Sequence, residues 1–167
     1  MLETNDRRRF DGLIGKILAH EGGYVNDPKD PGGETKYGIS KRSYPTRDIK
    51  NLSLEEAKEI YYNDWYLKLK LDQIISDSVA QKILDTAINI GPKTCIQLLQ
   101  RTLTSIGNPV VADGVMGPQT IRAINKSDPT VLLAHLRDKQ AGYYCQLIAR
   151  NPELQRFRAG WVKRAYS

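Results

Sequence analysis

Residues 20–40 hold four carboxylates, Glu21, Asp27, Asp30 and Glu34, together with the hydroxyl of Thr35. Glu21 is the unusual member of the set. Phe10, Leu13, Ile14, Ile17 and Leu18 recur at helical spacing and mark one apolar face. Glu21 falls three residues after Leu18 and eleven after Phe10, which returns it to nearly the angle of Phe10 on the wheel, and Gly22-Gly23 behind it supplies a left-handed stop. A carboxylate at the C-terminal end of an apolar-faced helix meets an unfavourable macrodipole and partial burial, and both favour its protonated form. A proton held near neutral pH is what a general acid needs. Glycoside hydrolysis pairs such an acid with a second carboxylate that activates water or attacks. The Gly- and Pro-rich loop after Glu21 can double back over the helix end, which makes Asp30 a candidate partner and Thr35 a candidate for positioning water. Asp27 reads as an Asx-turn residue beside Pro28, and Glu34 as a solvated side chain. Asp30 beside Pro31 is open to the Asx-turn reading as well.

Most of the chain that must carry these groups reads as helix. Prolines 28 and 31 and glycines 32, 33 and 38 exclude helix from residues 24–40, and Thr35 to Ile39 suits a short strand. Ser53-Leu-Glu-Glu56 is a capping box, followed by Leu54, Ala57, Ile60, Tyr61 and Trp65 at helical spacing. Asp77 to Ile90 forms a third helix, with Val79, Ile83, Ala87 and Ile90 on one face, and Gly91-Pro92 separates it from a fourth ending at Gly107. Gly117-Pro118 opens a short helix. Asp128-Pro129 is an N-cap with proline at N1 for a long helix bearing Leu132, Leu133, Leu136, Tyr143, Leu147 and Ile148. Asn151-Pro152 precedes a last helix with Leu154, Phe157 and Trp161.

The chain has 167 residues, 40% of them hydrophobic and 26% charged, which suits a water-soluble domain with a sizeable core. No apolar run approaches the roughly 20 residues of a bilayer span. The arginines at 7–9 are not followed by an apolar stretch long enough for a signal peptide, so synthesis in the cytoplasm and export by another route are expected. The net charge is +6, concentrated at Arg7 to Arg9 and in the tail (Arg150, Arg156, Arg158, Lys163, Arg164), and it suits either an anionic polymer or simply a solvated surface. Cys95 and Cys145 fall in apolar helical patterns and read as buried free thiols. No Cys/His spacing resembles a metal site, and His20-Glu21 lacks the second histidine of a zinc protease.

The run Glu21-Gly-Gly-Tyr24, Asn26-Asp27-Pro28, Asp30-Pro-Gly-Gly33, Thr35 and Tyr37-Gly-Ile39 resembles the signature of glycoside hydrolase family 108, phage and bacterial N-acetylmuramidases. The likeness continues through Ile60-Tyr61, Asp64-Trp65-Tyr66, Asp85 to Gly91 and Leu99-Gln100. It implies a mainly α, lysozyme-like helical fold with a short irregular or β segment after the first helix. It also implies Glu21 as the catalytic acid. Phage-type lysozymes place an aspartate nine residues after the glutamate and a threonine six further on; Asp30 keeps the first interval, while Thr35 is one residue short of the second. Ala112 to Thr120 resembles the Asp-Gly-x-x-Gly-Pro-x-Thr signature of peptidoglycan-binding modules, with Asp113, Gly114, Gly117 and Thr120 at its fixed positions. That turn reads equally as a site exposing backbone amides to a wall carboxylate and as a connector between packed helices.

One lysozyme-like unit over 1–167 is expected, with a catalytic half at 10–91 and a C-terminal half at 92–167. Tyr24, Tyr37, Tyr62, Tyr66 and Asn89 are candidate substrate contacts, the tyrosines as saccharide platforms or shapers of the acid's pocket. For Tyr62 and Tyr66 core packing is the competing reading, for Asn89 a helix cap. The leading function is a muramidase cleaving the β-1,4 bond between N-acetylmuramic acid and N-acetylglucosamine. It needs no metal or organic cofactor, takes bacterial peptidoglycan as partner and works as a monomer on the periplasmic or wall side after holin-type or other non-Sec release. A phage endolysin and a bacterial muramidase that loosens the wall for secretion both fit. Its competitors are a lytic transglycosylase using Glu21, a non-catalytic wall-binding protein, and a helical nucleic-acid binder, which rests on charge alone and has no motif behind it.

Overall fold

Phe10 and Ile14 have no exposed surface and Leu13, Ile17 and Leu18 almost none. The first helix, α1 (Leu2–Leu18), is thus held by the face its sequence marks out, each such side chain contributing about 1.5–3 kcal/mol on burial. The computed structural model describes residues 2–18, 23–26 and 33–167. Glu21, Asp27 and Asp30, with His20 and Gly22, lie outside the described residues. Thr35–Lys36 (β1) and Ile39–Ser40 (β2) form an antiparallel hairpin, Thr35 opposite Ser40 and Lys36 opposite Ile39. Its turn residues, Tyr37 and Gly38, both have positive φ (52° and 76°), the mirror-image geometry that matches strand twist.

The Ser53 capping box is formed, with the Ser53 hydroxyl accepting from Glu56 N and the Glu56 carboxylate accepting from Ser53 N. The helix it starts, α2 (Leu54–Tyr61), does not run on to Trp65 as its spacing suggests. A π-helical turn, Tyr62–Tyr66, takes over. The extra residue in that turn brings Tyr66 inward, where it is fully buried, and leaves Trp65 half-buried.

The chain divides into two compact units, residues 1–72 and 73–167. In the first, α1 packs on α2. The second holds α3 (Asp77–Ile90), α4 (Pro92–Ser105), α5 (Pro118–Lys126), α6 (Pro129–Arg150), a 3-10 turn at Pro152–Phe157, and α7 (Arg158–Tyr166). The division falls before α3 because Val79, Ile83 and Ala87 are buried on a helix that packs on α4 and α6. Gly91, at φ +84°, ends α3 and starts α4: its N–H donates to Ala87 O and its carbonyl accepts from Cys95 N. Asp128 caps α6 by accepting from Thr130 N and Val131 N.

The core face of α6 departs from the sequence reading. Leu132, Leu136, Gln140 and Tyr144 are buried at intervals of four, whereas Leu133, Tyr143, Leu147 and Ile148 are half-buried. Gln140 belongs in this row because its amide is satisfied there, accepting from Thr86 and donating to Tyr144. Cys95 is buried, but Cys145, one residue past the row, is exposed, so only one of the two free thiols is a core group.

Candidate functional site

The described residues on either side of 27–32 are joined to each other. Val25 and Thr35 exchange both backbone hydrogen bonds at 2.8 Å, and Lys41 N donates to Glu34 O at 2.7 Å on the other side of the hairpin. Both backbone groups of Thr35 are therefore bonded to Val25, and on its other side it faces Ser40 of β2 in register. Its hydroxyl donates to Gly33 O at 3.3 Å. A hydroxyl whose proton is committed in this way presents lone pairs, which can accept from a water or a sugar hydroxyl.

Tyr24 and Glu34 meet across the same junction. The Tyr24 hydroxyl donates to Glu34 Oε1 at 2.9 Å, and the accepting carboxylate holds the phenol above its ordinary pKa. Glu34 is thus a partnered group rather than a simply solvated one, and a tyrosine ten residues before a glutamate across a Gly-rich loop is the signal for it. Tyr24 is 36% exposed, enough to offer a ring edge to a ligand. Tyr37 is half-buried, and its carbonyl accepts from the buried Tyr61 hydroxyl at 2.9 Å, which secures the hairpin turn to α2.

Tyr62 and Tyr66 are structural instead of saccharide platforms. Both hydroxyls donate to Asp6, Tyr62 at 2.8 Å and Tyr66 at 2.7 Å. The Tyr66 ring has no exposed surface. The Tyr62 ring stacks on Tyr66 at 5.6 Å and lies under the Arg7 guanidinium at 4.4 Å. Arg7 also pairs with Glu59, and Arg9 donates to the carbonyls of Leu71 and Asp72. Two of the three N-terminal arginines thus serve the fold rather than an anionic partner.

In the second unit, Asn89 donates to Asp85 O at 2.8 Å and accepts from Arg164, so its amide is engaged at both ends. The Asp113–Thr120 turn is knitted to α4 by one side chain. Gln100 donates to Asp113 Oδ1 (2.7 Å), Val115 O (3.1 Å) and Thr120 Oγ1 (3.2 Å), and accepts from Gly114 N (2.9 Å). Val115 N donates to Asp113 and Gly117 N to Val115 O. These bonds to Val115 N and Gln100 hold the Asp113 carboxyl below its usual pKa. The amides expected to face a wall carboxylate are therefore consumed within the turn. Beside it, Arg122 and Lys126, one turn apart on α5, are exposed basic groups that the sequence reading did not single out. Among the described residues no group of three His, Cys, Asp or Glu side chains is placed to hold a metal ion.

The helical first unit with its hairpin, followed by a helical second unit, has recognisable relatives. Residues 14–91 match the family model Glycosyl hydrolase 108, and residues 94–166 match Predicted Peptidoglycan domain. Among solved structures, that of Brucella abortus SagA is similar at a TM-score of 0.77 and 29% identity, covering 93% of this chain and 88% of that one. No curated protein sequence matches the chain. The fold is accordingly mainly α and lysozyme-like, and its class is that of a glycoside hydrolase acting on peptidoglycan. The similarity to the glycosyl hydrolase 108 family lies in residues 14–91, the part of the chain that carries α1, the hairpin, α2 and α3.

Proposed function

We propose that the chain is an N-acetylmuramidase that hydrolyses the β-1,4 bond between N-acetylmuramic acid and N-acetylglucosamine, with Glu21 as general acid. The observation that carries this reading is the family match over residues 14–91, a span that includes Glu21, three residues along the sequence from Leu18 at the end of the buried α1. Glu21 protonates the glycosidic oxygen as it leaves. Asp30 orients water or stabilises the oxocarbenium-like charge, and the Thr35 hydroxyl accepts a hydrogen bond from that water. Tyr24 and Tyr37, on the hairpin and its base, are the substrate contacts. The place of action is the cell wall.

The test is mass spectrometry of soluble products from purified peptidoglycan, with the Glu21→Gln protein alongside. Muropeptides ending in reducing N-acetylmuramic acid, lost in the variant, are expected. Products ending in 1,6-anhydro sugar would replace the reading by a lytic transglycosylase. Binding to the wall without any product would leave a binding protein.

A further inference from the structure

The segment between α4 and α5 lies along α5 and leaves an open trough there. Two neighbouring hollows of 350 and 560 Å³ share Val110, Gln119 and Arg122 in their linings and so lie side by side along α5. Val110, Val111 and Val115 supply its apolar side, and Gln119, Arg122 and Lys126 belong to the helix side. Val111 is 73% exposed and Val115 60%, an unusual pair of bare valines on either side of one turn. Arg122 and Lys126 have no ion-pair partner among the described residues. Asp113, the carboxylate in the lining, has Oδ1 committed to Val115 N and Gln100. The trough thus pairs an aliphatic wall with two cations, Arg122 and Lys126, against the single carboxylate of Asp113, a net positive charge.

We infer that this trough docks the peptide stems of peptidoglycan, with valine methyls against small aliphatic side chains and Arg122 and Lys126 on stem carboxylates. The identity of the ligand rests on the peptidoglycan reading above; the site itself rests on the trough. Charge complementarity selects an anionic occupant, since the stems carry free carboxylates and the trough carries the matching cations. The glycan strand fits less well, because no aromatic ring lines the trough to stack on a pyranose face. The turn amides are already bonded within the protein, so recognition here runs through side chains.

The experiment uses the full chain, isotope-labelled, and a synthetic sugar-free stem peptide of alanine, γ-linked glutamate and lysine with free carboxylates. NMR titration is expected to shift amides of Val110–Val115 and of α5. Arg122→Gln with Lys126→Gln is expected to weaken the peptide by about tenfold, as two partly screened charge contacts would. Amidating the peptide's carboxylates is expected to weaken it likewise, and Val111→Asp to do so through the apolar side. All of these positions are exposed, and an unchanged melting curve confirms that the variants fold. Absence of peptide shifts, shifts elsewhere, or shifts indifferent to the charge variants would overturn the site. Shifts at these residues from a peptide-free N-acetylglucosamine oligomer, and none from the peptide, would overturn it in favour of glycan. The peptide has no glycosidic bond, so its binding stands or falls independently of hydrolysis by Glu21.

Discussion

The carboxylate of Asp6 accepts the hydroxyl proton of Tyr66 at 2.7 Å, a contact between residues 60 apart that joins the start of α1 to the π-helical turn after α2. Tyr66 is fully buried, so no water can replace Asp6 without a shift in the turn. Replacing Asp6 by alanine strands that hydroxyl and frees the Tyr62 hydroxyl as well. The expected cost is roughly 2–4 kcal/mol, the penalty for one buried orphan and one half-buried lost bond. Urea unfolding followed by tyrosine and tryptophan fluorescence measures it, and Asp6→Asn, which keeps an acceptor, is expected to recover part. A loss below that of an ordinary surface substitution would show that the turn stands without Asp6.

Lys82 sets a pH dependence in the second unit. It is 4% exposed, and its ammonium donates to the carbonyls of Arg164, Ala165 and Ser167 at the end of α7. Burial is the main cause that lowers its pKa from 10.5 to about 8, and the Asp85 charge opposes it. The unfolded chain therefore holds more protons at this group above pH 8, and the contribution of Lys82 to stability rises with pH from about 8 toward 10.5. Burial also raises the Cys95 thiol from 9.0 to about 12, which works in the opposite direction above pH 9, so the clean window lies below that. Between pH 7 and 9 the protein is expected to gain stability relative to Lys82→Met, measured by urea unfolding at each pH. A wild type that loses stability relative to Lys82→Met as pH rises would contradict the assignment.

The sequence made most helix boundaries readable because they are written in local chemistry. The Ser53–Glu56 box, the Gly91-Pro92 break and the Asp128-Pro129 cap act over a few residues, and each is formed. What was not readable depends on partners far along the chain. The π-helical turn that buries Tyr66 is fixed by Asp6, and nothing near Tyr66 announces it. Gln140 on the core face of α6 is hidden from hydrophobic patterning because its burial is allowed only by Thr86 and Tyr144. Among the site candidates, the hairpin that holds Thr35 followed from glycine and β-propensity, whereas the Tyr24–Glu34 pair required the loop's two ends to meet.

Gln100 is the second buried polar hub, 1% exposed and bonded to Asp113, Gly114, Val115 and Thr120. Leucine has nearly the same shape and none of the bonds. Gln100→Leu is expected to cost about 2–4 kcal/mol, because the Gly114 amide and the buried Thr120 hydroxyl lose partners that water does not easily replace. Amide hydrogen exchange at Gly114 reads the same event locally and is expected to accelerate by more than the global loss explains. Unchanged protection at Gly114 would mean that the turn holds itself.

Two glycines with the same backbone sign separate strain from contact in this turn. Gly107 has φ +90° and Gly114 φ +79°, so alanine at either enters the left-handed region at a cost of about 1 kcal/mol or more. Around Gly107 an added Cβ meets nothing within 4 Å. At Gly114 it meets Lys93 Cγ at 2.8 Å, Lys93 O at 3.2 Å and Gln97 Cγ at 3.3 Å. The Lys93 side chain can swing aside, but its carbonyl belongs to the first turn of α4 and moves only with the helix. Gly114→Ala is therefore expected to destabilise the second unit by about 1–2 kcal/mol more than Gly107→Ala, the typical penalty for forcing a methyl into a packed contact. Paired thermal melts decide it. Equal losses would show that backbone sign alone governs both positions and that the turn has room against α4.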